Sequence, residues 1–227
     1  MSLSHSPLIV RDGLVLCLDA ANQRSYPKSG TTWSDLAGAN NGTLTNMENN
    51  FDSSNKGSLT FDGGNEYVNG FRPVSGTPDV TYSCWIKLSS LSSYSMFISY
   101  YSVSGTEIEL RCYQSSGRPE MIVGYSNEYN ATAPVGDALS TNVWYFLTGV
   151  FDGSSSKIYI NDRLSAMDTT STGTYEGYSG NRDVFIGSRN GSGYFFNGSM
   201  STVMVYYRSL SANEIQQNYL ATKGRYE

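Results

Sequence analysis

The sequence predicts an all-β sandwich or barrel that ends in one short helix, and three observations support this fold class. Runs of alternating apolar and polar residues recur about every 8 to 15 residues, separated by turn residues. Gly, Ser, Asn, Thr and Tyr are abundant and only 15% of residues are charged, as in chains rich in strands and turns. Strands do not alternate with helices, which argues against a parallel sheet. No linker or repeat divides the 227 residues, so we expect one domain.

Composition and charge restrict the partners and the compartment. The formal charge is −5 and the sequence has no basic cluster, which argues against a nucleic-acid partner. The sequence also has no run of 18 apolar residues, so we expect no membrane-spanning segment. Residues 1–11 lack the pattern of a secretion signal and are interpreted as a flexible arm. The chain has an odd number of cysteines, Cys17, Cys84 and Cys112, and each lies in a strand-like run. This predicts reduced, buried thiols in a protein made in a reducing cytoplasm.

The first half of the chain reads as strands and ordered loops. GLVLCLDA (13–20) predicts a half-buried strand, and a loop rich in Gly and Asn follows it. GSLTFDGGNEYVNG predicts two short strands with a tight Gly-Gly turn between them. VTYSCWIKL alternates, with Val80, Tyr82, Cys84, Ile86 and Leu88 on one side and Thr81, Ser83, Trp85 and Lys87 on the other. TEIELRCY alternates too, with Ile108, Leu110 and Cys112 inward and Glu107, Glu109, Arg111 and Tyr113 outward.

The second half predicts a hairpin and a capped helix. NVWYFLTGVFDGSSSKIYIND turns back on itself at residues 152–156, and DVFIGSR and MSTVMVYYR complete the strands. Ser211 and Glu214 have the spacing of a capping box, and Ile215 and Tyr219 form a short apolar stripe. A helix of about ten residues is marginal alone, so we expect it to cover an end or an edge of a sheet.

Five segments, in order along the chain, resemble the concanavalin A-like lectin/glucanase superfamily, specifically its laminin-G-like branch. They are LVLCLDAANQRSYPKSGTTWSDLAGANNGTLTN, the GSLTFDGGNEYV hairpin, NVWYFLTGVFDGSSSKIYINDRL, VFIGSR with FFNGSMSTVMVYYRSLS, and YYRSLSANEIQQNYLATKGRY. The resemblance implies a two-sheet antiparallel jelly-roll sandwich over residues 12–227, with one concave sheet and adjacent first and last strands. Asp162 replaces the glycine usual in the family's Tyr-x-Asn-Gly turn. The loop-rich style most resembles tailed-bacteriophage proteins, which implies a virion protein assembled in a host cytoplasm.

Tyrosines supply the candidate sugar-binding residues. Sugars stack on aromatic faces while Asn, Asp and Arg bond their hydroxyls, and Tyr and Asn are also typical of binding loops. The predicted glycan-binding set is Tyr100, Tyr101, Tyr113, Tyr125, Asn127, Tyr129 and Tyr194. Tyr100 and Tyr101 are adjacent, so on a strand they point to opposite faces and one lies outward. For any single tyrosine, ordinary packing with a wet hydroxyl is the alternative.

A calcium site is the second candidate, because laminin-G-like and pentraxin-like relatives often bind calcium at a sandwich rim. Ca²⁺ takes six to eight oxygen ligands. The predicted metal-binding residues are Asp62, Asn65 and Glu66, to which Asp19, Asp152 and Asp183 could add oxygens. The alternative is that Asp62 and Asp152 accept hydrogen bonds from turn N–H groups. No cofactor is required on this interpretation, and bound Ca²⁺ is left open.

Hydrolysis is disfavoured. Glycoside cleavage needs two carboxylates flanking the bond, and the glucanase branch carries a Glu-x-Asp-x-x-Glu pattern. Glu107 and Glu109 are the nearest match and are interpreted as a solvated face. The first hypothesis is a non-enzymatic module on a phage capsid or tail that binds cell-surface glycans. The alternative is a structural decoration protein that contacts other virion proteins through the arm 1–11 or sheet edges, and an oligomer fits either.

Overall fold

In the computed structural model, two antiparallel sheets pack face to face and one α-helix follows them. The structure describes residues 7–74, 76, 79–91, 94–102, 107–124, 129–170, 175, 177–178 and 182–226. The strands are β1 Leu14–Asp19, β2 Thr32–Trp33, β3 Gly42–Thr45, β4 Phe51–Asp52, β5 Ser58–Asp62, β6 Tyr67–Phe71, β7 Val80–Leu88, β8 Ser95–Tyr101, β9 Glu107–Tyr113, β10 Arg118–Gly124, β11 Tyr129–Thr132, β12 Trp144–Phe151, β13 Ser156–Ile160, β14 Arg163–Asp168, β15 Val184–Ile186 and β16 Asn197–Tyr206. The helix is α1, Ala212–Thr222.

The strand order defines the two sheets. Sheet A runs β14-β13-β12-β7-β16-β5-β4, and β1 also pairs with β16. Sheet B runs β11-β10-β9-β8-β15-β6-β3-β2. The first strand lies antiparallel to the last, with Cys17 opposite Met204. The predicted two-sheet antiparallel sandwich with adjacent first and last strands is confirmed.

The facing surfaces of the two sheets form the main core. Leu16 of sheet A and Leu110 of sheet B are both fully buried in it, as are Cys84 and Cys112. Cys17 is buried on the opposite side of sheet A, so all three thiols are free and buried, as predicted. Burial raises the pKa of Cys17 to about 12 and raises those of the other two as well. The three thiols are therefore neutral at pH 7.

One predicted hairpin is wrong and the other is confirmed. β5 pairs with β16 in sheet A, whereas β6 pairs with β3 and β15 in sheet B. The Gly-Gly turn therefore carries the chain from sheet A to sheet B. The prediction failed because a turn signal does not specify the strand with which each flanking strand pairs. β12 and β13 do pair as predicted. In their turn, Asp152 Oδ1 accepts hydrogen bonds from the backbone N–H groups of Ser154 and Ser155, at 3.1 and 2.8 Å.

The helix begins with the predicted capping box. The Ser211 hydroxyl accepts a hydrogen bond from the Glu214 N–H at 3.4 Å, and the Glu214 carboxylate accepts one from the Ser211 N–H at 2.9 Å. Arg208 also donates to Glu214, at 2.6 Å, and this pairing lowers the pKa of Glu214 to about 2. The start of α1 is thus fixed by local sequence.

The prediction that the helix covers a sheet end or edge is wrong. α1 lies on the outer face of sheet A, over its central strands β12, β7 and β16. Ile215 is fully buried there in a cluster with Trp85 and Phe146, and Tyr219 stacks 5.8 Å from Trp85. A helix this short is marginally stable alone, and packing on these aromatic side chains stabilises it. None of the described helical segments combines the length and hydrophobicity needed to cross a bilayer.

Residues 7–11, the end of the segment predicted as a flexible arm, also pack on this side of sheet A. Val10 is buried, and its N–H donates to Asn218 Oδ1 at 2.8 Å. The Tyr206 hydroxyl donates to the Val10 carbonyl at 3.0 Å, and Gln217 donates to the Leu8 carbonyl at 2.7 Å. These bonds hold residues 7–11 against α1 and β16.

Candidate functional site

The outer face of sheet B, opposite the core, carries polar and aromatic side chains. β9 alternates as predicted, with Ile108, Leu110 and Cys112 in the core and Glu107, Glu109, Arg111 and Tyr113 on the outer face. The prediction that the glutamates are solvated is wrong, since Glu107 is 4% exposed and Glu109 is completely buried. The period of the strand assigned the face correctly, but it did not predict burial on that face.

Five charged side chains on this face form a buried ion-pair network, composed of Glu107, Glu109 and Arg111 on β9, Glu120 on β10 and Arg189 after β15. Arg111 lies between two carboxylates: its Nε is 2.6 Å from Glu120 Oε1 and its Nη1 is 2.7 Å from Glu109 Oε2. Arg189 Nε is 2.6 Å from Glu109 Oε1, and its Nη2 donates to Glu107. Each carboxylate therefore meets at least one guanidinium in a charge-assisted hydrogen bond.

Strand register brings the network together. Glu120 on β10 lies directly opposite Arg111 on β9, and Thr132 on β11 lies opposite Glu120. The Thr132 hydroxyl donates to Glu120 Oε2 at 2.9 Å. Tyr101 on β8 lies opposite Glu107. Directly opposite residues share a face at close range, so the three strand pairings place these side chains on one face of the sheet, in two rows four residues apart along β9.

A tyrosine patch lies on the network and consists of Tyr94, Tyr101, Tyr113 and Tyr194. The Tyr94 ring packs edge-on against Tyr113 at 5.7 Å and against Tyr194 at 5.2 Å. It also covers the Arg111 guanidinium at 4.8 Å. Tyr101 lies 4.5 Å and Tyr194 5.7 Å from the Arg189 guanidinium. Both arginines thus donate to carboxylates through N–H groups, and each has at least one tyrosine ring over its guanidinium.

A tight turn positions Arg189 and Tyr194. Asn190 and Gly191 both have positive φ, of 56° and 68°, and the Ser192 N–H donates to the Arg189 carbonyl at 3.1 Å, as in a type I′ turn. Tyr194 itself has a φ of 53°, which is unusual for a bulky residue. Its side chain is 40% exposed. A strained backbone that presents an exposed aromatic ring points to a role beyond packing.

The electrostatics of the network are those of buried, compensated charge. Burial raises the pKa of Glu109, while the adjacent Arg111 and Arg189 oppose the rise. Burial would lower the pKa of Arg189, but the neighbouring Glu109 and Glu107 raise it above its ordinary value. Arg118, at the start of β10, adds a third cation on this face, and its Nε donates to the Ala133 carbonyl at 2.6 Å. Three carboxylates and three guanidiniums therefore balance on the described parts of β9, β10 and the Arg189 turn.

The predicted glycan-binding residues separate into three groups. Tyr101, Tyr113 and Tyr194 come together in the tyrosine patch. Tyr100 and Tyr129 are instead buried in the main core, where Tyr100 packs against Tyr178 at 4.8 Å and Tyr129 packs against Phe151 at 5.0 Å. The prediction is contradicted for these two, because strand alternation turns them inward. Tyr125 and Asn127 lie outside the described residues.

The predicted calcium ligands are engaged in turn chemistry. Asp62 Oδ1 accepts the Gly64 N–H at 2.7 Å, and Glu66 accepts the Asp62 N–H and the Asn50 amide at 2.6 and 2.8 Å. The Asn65 carbonyl accepts a hydrogen bond from Asn46, at 3.0 Å. In the described part of the chain, no group of three or more His, Cys, Asp or Glu side chains is placed to hold a metal ion. Bound calcium stays a prediction.

Sequence reasoning missed two members of the network. Glu120 was not singled out because a lone glutamate in EMIVGY carries no spacing signal. For Arg189, the sequence predicts only the end of the strand DVFIGSR. The Asn190-Gly191 pair that follows it is a strong turn signal, and it could have indicated a rigid loop beside the sheet. No local pattern links Arg189 to residues 80 positions earlier in the chain.

Comparison with known proteins establishes the family. Residues 62–216 match the family model Laminin_G_3, described as the concanavalin A-like lectin/glucanases superfamily. The chain belongs to this superfamily. No curated protein sequence matches the chain.

Solved structures share the fold at low identity. Domain 4 of AbnA, a GH43 extracellular arabinanase from Geobacillus stearothermophilus, in complex with arabinotriose, has a TM-score of 0.70 and 18% identity, over 92% of this chain and 98% of that one. Trypanosoma rangeli sialidase in complex with the inhibitor DANA has a TM-score of 0.67 and 13% identity, over 96% of this chain. The botulinum neurotoxin serotype G binding domain has a TM-score of 0.66 and 15% identity, over 91% of this chain.

These matches differ in how much of each neighbour they include. This superfamily member spans 35% of the sialidase and 50% of the neurotoxin domain. The fold is therefore shared with parts of glycosidases and with a toxin's binding domain. At 13–18% identity these likenesses show the fold, and they do not show whether this chain is an enzyme.

Proposed function

We propose that the protein is a non-enzymatic carbohydrate-binding module that binds glycans on the tyrosine patch of sheet B. One observation carries the proposal: four tyrosines lie together on a sheet face that no described helix covers, above a buried ion-pair network. Tyrosine supplies large, rigid contact area at little cost in conformational entropy. An open aromatic surface with polar neighbours suits sugar rings, which present both apolar and hydroxyl faces.

The comparisons support the ligand class. The superfamily is named for its lectins and glucanases, and the neighbour matched over almost its whole length is an arabinanase domain in complex with arabinotriose. The sialidase neighbour has been solved in complex with sialic acid. Binding of sugars by proteins of this fold therefore favours carbohydrate as the ligand here.

Binding without cleavage fits the state of the carboxylates. Glycoside hydrolysis needs one carboxyl group to give a proton and a second to act as base or nucleophile. On the outer face of sheet B, Glu107, Glu109 and Glu120 all bond to guanidinium groups instead. A general acid or nucleophile must reach the glycosidic bond, and these carboxylates are instead buried and bonded to the arginines.

The virus particle remains our proposal for the setting, and it rests on the sequence resemblance to tailed-bacteriophage proteins. On this proposal the cell-surface glycan tethers the particle, and other virion proteins contact the N-terminal segment or the sheet edges. Antibody labelling of purified particles by electron microscopy tests it. Signal only in the lysate, and none on particles, contradicts it.

The binding proposal is tested by truncating the exposed ring. Tyr194→Ala removes the most exposed member of the patch, so we expect at least about a tenfold weaker affinity for glycans that the unaltered protein binds on an array. Leu220→Ala is the matched control, because Leu220 is also 40% exposed but lies on α1, on the other sheet. We expect its binding to be unchanged.

Two outcomes would contradict the proposal. One is an array on which no glycan binds, and the other is equal affinity of Tyr194→Ala and the unaltered protein. Repeating the array with EDTA tests calcium separately, since loss of binding would indicate a metal-dependent site. Release of reducing ends from any bound glycan would contradict the non-enzymatic part of the proposal.

A further inference from the structure

The arginines beneath the tyrosine patch are already occupied. An acidic sugar is ordinarily held by a guanidinium that pairs with its carboxylate through parallel hydrogen bonds. In Arg111, Nε and Nη1 bond to Glu120 and Glu109 at 2.6 and 2.7 Å. In Arg189, Nε and Nη2 bond to Glu109 and Glu107. To pair with these same N–H groups, a ligand carboxylate would have to displace a protein carboxylate.

Aromatic rings also lie over both guanidiniums. Tyr94 lies over Arg111, and Tyr101 and Tyr194 lie over Arg189, all within 5.7 Å of the guanidinium carbon. The patch therefore presents tyrosine rings and hydroxyls to a ligand. These groups can stack on a sugar ring and bond its hydroxyls, but they carry no charge.

The charges around the patch do not favour an anion either. Three carboxylates lie beneath it, and the cations Arg111, Arg189 and Arg118 only balance them. A ligand carboxylate that docks over Arg189 loses water and meets the buried Glu107 and Glu109, and Arg189 is already bonded to both of them. Loss of solvation without a new partner disfavours binding of the charged ligand.

We infer that the tyrosine patch selects uncharged sugars and discriminates against sugars that carry a carboxylate, because its guanidiniums are bonded by Glu107, Glu109 and Glu120 and covered by its tyrosines. This inference rests on the proposed function and names its ligand class. Neutral hexose and pentose oligomers fit it, whereas uronate and sialylated oligomers do not.

The test uses pairs of oligosaccharides in which one member carries a carboxylate and the other a neutral group at the same carbon: galacturonate against galactose oligomers, and sialyllactose against its methyl ester, on an array and then by calorimetry. In each pair we expect the neutral member to bind at least about tenfold more tightly. We also expect its affinity to change little between 50 mM and 500 mM NaCl, since an uncharged contact is not screened.

A conservative variant reverses the preference in part. Glu107→Gln removes one carboxylate from Arg189 while keeping the shape of the side chain, so the acidic member of each pair should gain at least about threefold relative to the neutral one. Glu48→Gln makes the same change in net charge on the exposed loop before β4, and its preference should stay unaltered. Thermal melts confirm that both variants fold.

The outcomes separate the two proposals. Tighter binding of the acidic members by the unaltered protein overturns the inference and leaves carbohydrate binding intact. An unchanged preference in Glu107→Gln, with normal folding, overturns the role of the network. If no glycan on the array binds, the proposed function fails and the inference fails with it.

Discussion

The outer faces of the two sheets differ in the side chains that they bury. On sheet A, apolar side chains such as Trp85 and Phe146 lie under α1 and residues 7–11, in a second hydrophobic cluster. On sheet B, the corresponding face carries ion pairs and the tyrosine patch. Burying an aromatic cluster stabilises the fold directly, whereas burying an ion pair does little better than break even.

This difference indicates different roles for the two faces. The outer face of sheet A behaves as an extension of the core. The network on sheet B includes buried charge, and buried ion pairs often add no more stability than apolar residues of equal volume. The network is better explained by what it holds in place, which is Arg189, the turn after it and the exposed ring of Tyr194.

The largest effect is expected from breaking the network. Arg111→Met removes the guanidinium that bonds Glu120 Oε1 and Glu109 Oε2, and both carboxylates stay buried. We therefore expect a loss of about 3–5 kcal/mol in the free energy of unfolding, measured in urea. The control is Arg72→Met, which breaks an exposed pair with Asp183 and should cost about 1 kcal/mol or less. Equal losses in the two variants would mean that the network is no more than a surface feature.

A smaller effect is expected on the other face. Ile215→Ala removes a fully buried side chain between α1 and sheet A, so the free energy of unfolding should fall by about 3 kcal/mol. Leu220→Ala, on the exposed side of the same helix, should change it by about 0.5 kcal/mol or less. Sugar binding should survive in both variants. Loss of binding in folded Ile215→Ala would show that the two faces are not independent.

The smallest effect is expected at the helix cap, and it depends on pH. The pKa of Glu214 is about 2 in the folded protein and ordinary when unfolded, so its contribution is complete above about pH 4.5 and is lost as the pH falls toward 2. Glu214→Gln should cost about 1 kcal/mol at pH 7, and the difference from the unaltered protein should shrink at pH 2.5. Urea titrations at both pH values measure it, and a constant difference would rule out this source.

Strand alternation allowed part of the candidate site to be predicted from the sequence, but it does not specify which face of a strand is buried. Strand periodicity placed Glu107, Glu109, Arg111 and Tyr113 on one face, because alternation is a property of the strand itself. It also required Tyr100 and Tyr101 to point apart, without telling which one lies outward. That choice depends on which face meets the other sheet, so the sequence alone does not exclude the buried Tyr100 from the predicted glycan-binding set.

By itself, the sequence determined what depends on neighbours along the chain: the alternating strands, the turn at Asp152, and the capping box of Ser211 and Glu214. Only the tertiary structure decided what depends on distant contacts. It separated β5 and β6 into different sheets, placed α1 over sheet A, and brought Arg189 to carboxylates 80 residues away in sequence. Burial and pairing are set by the partners that folding brings together, and those partners are not adjacent in the chain.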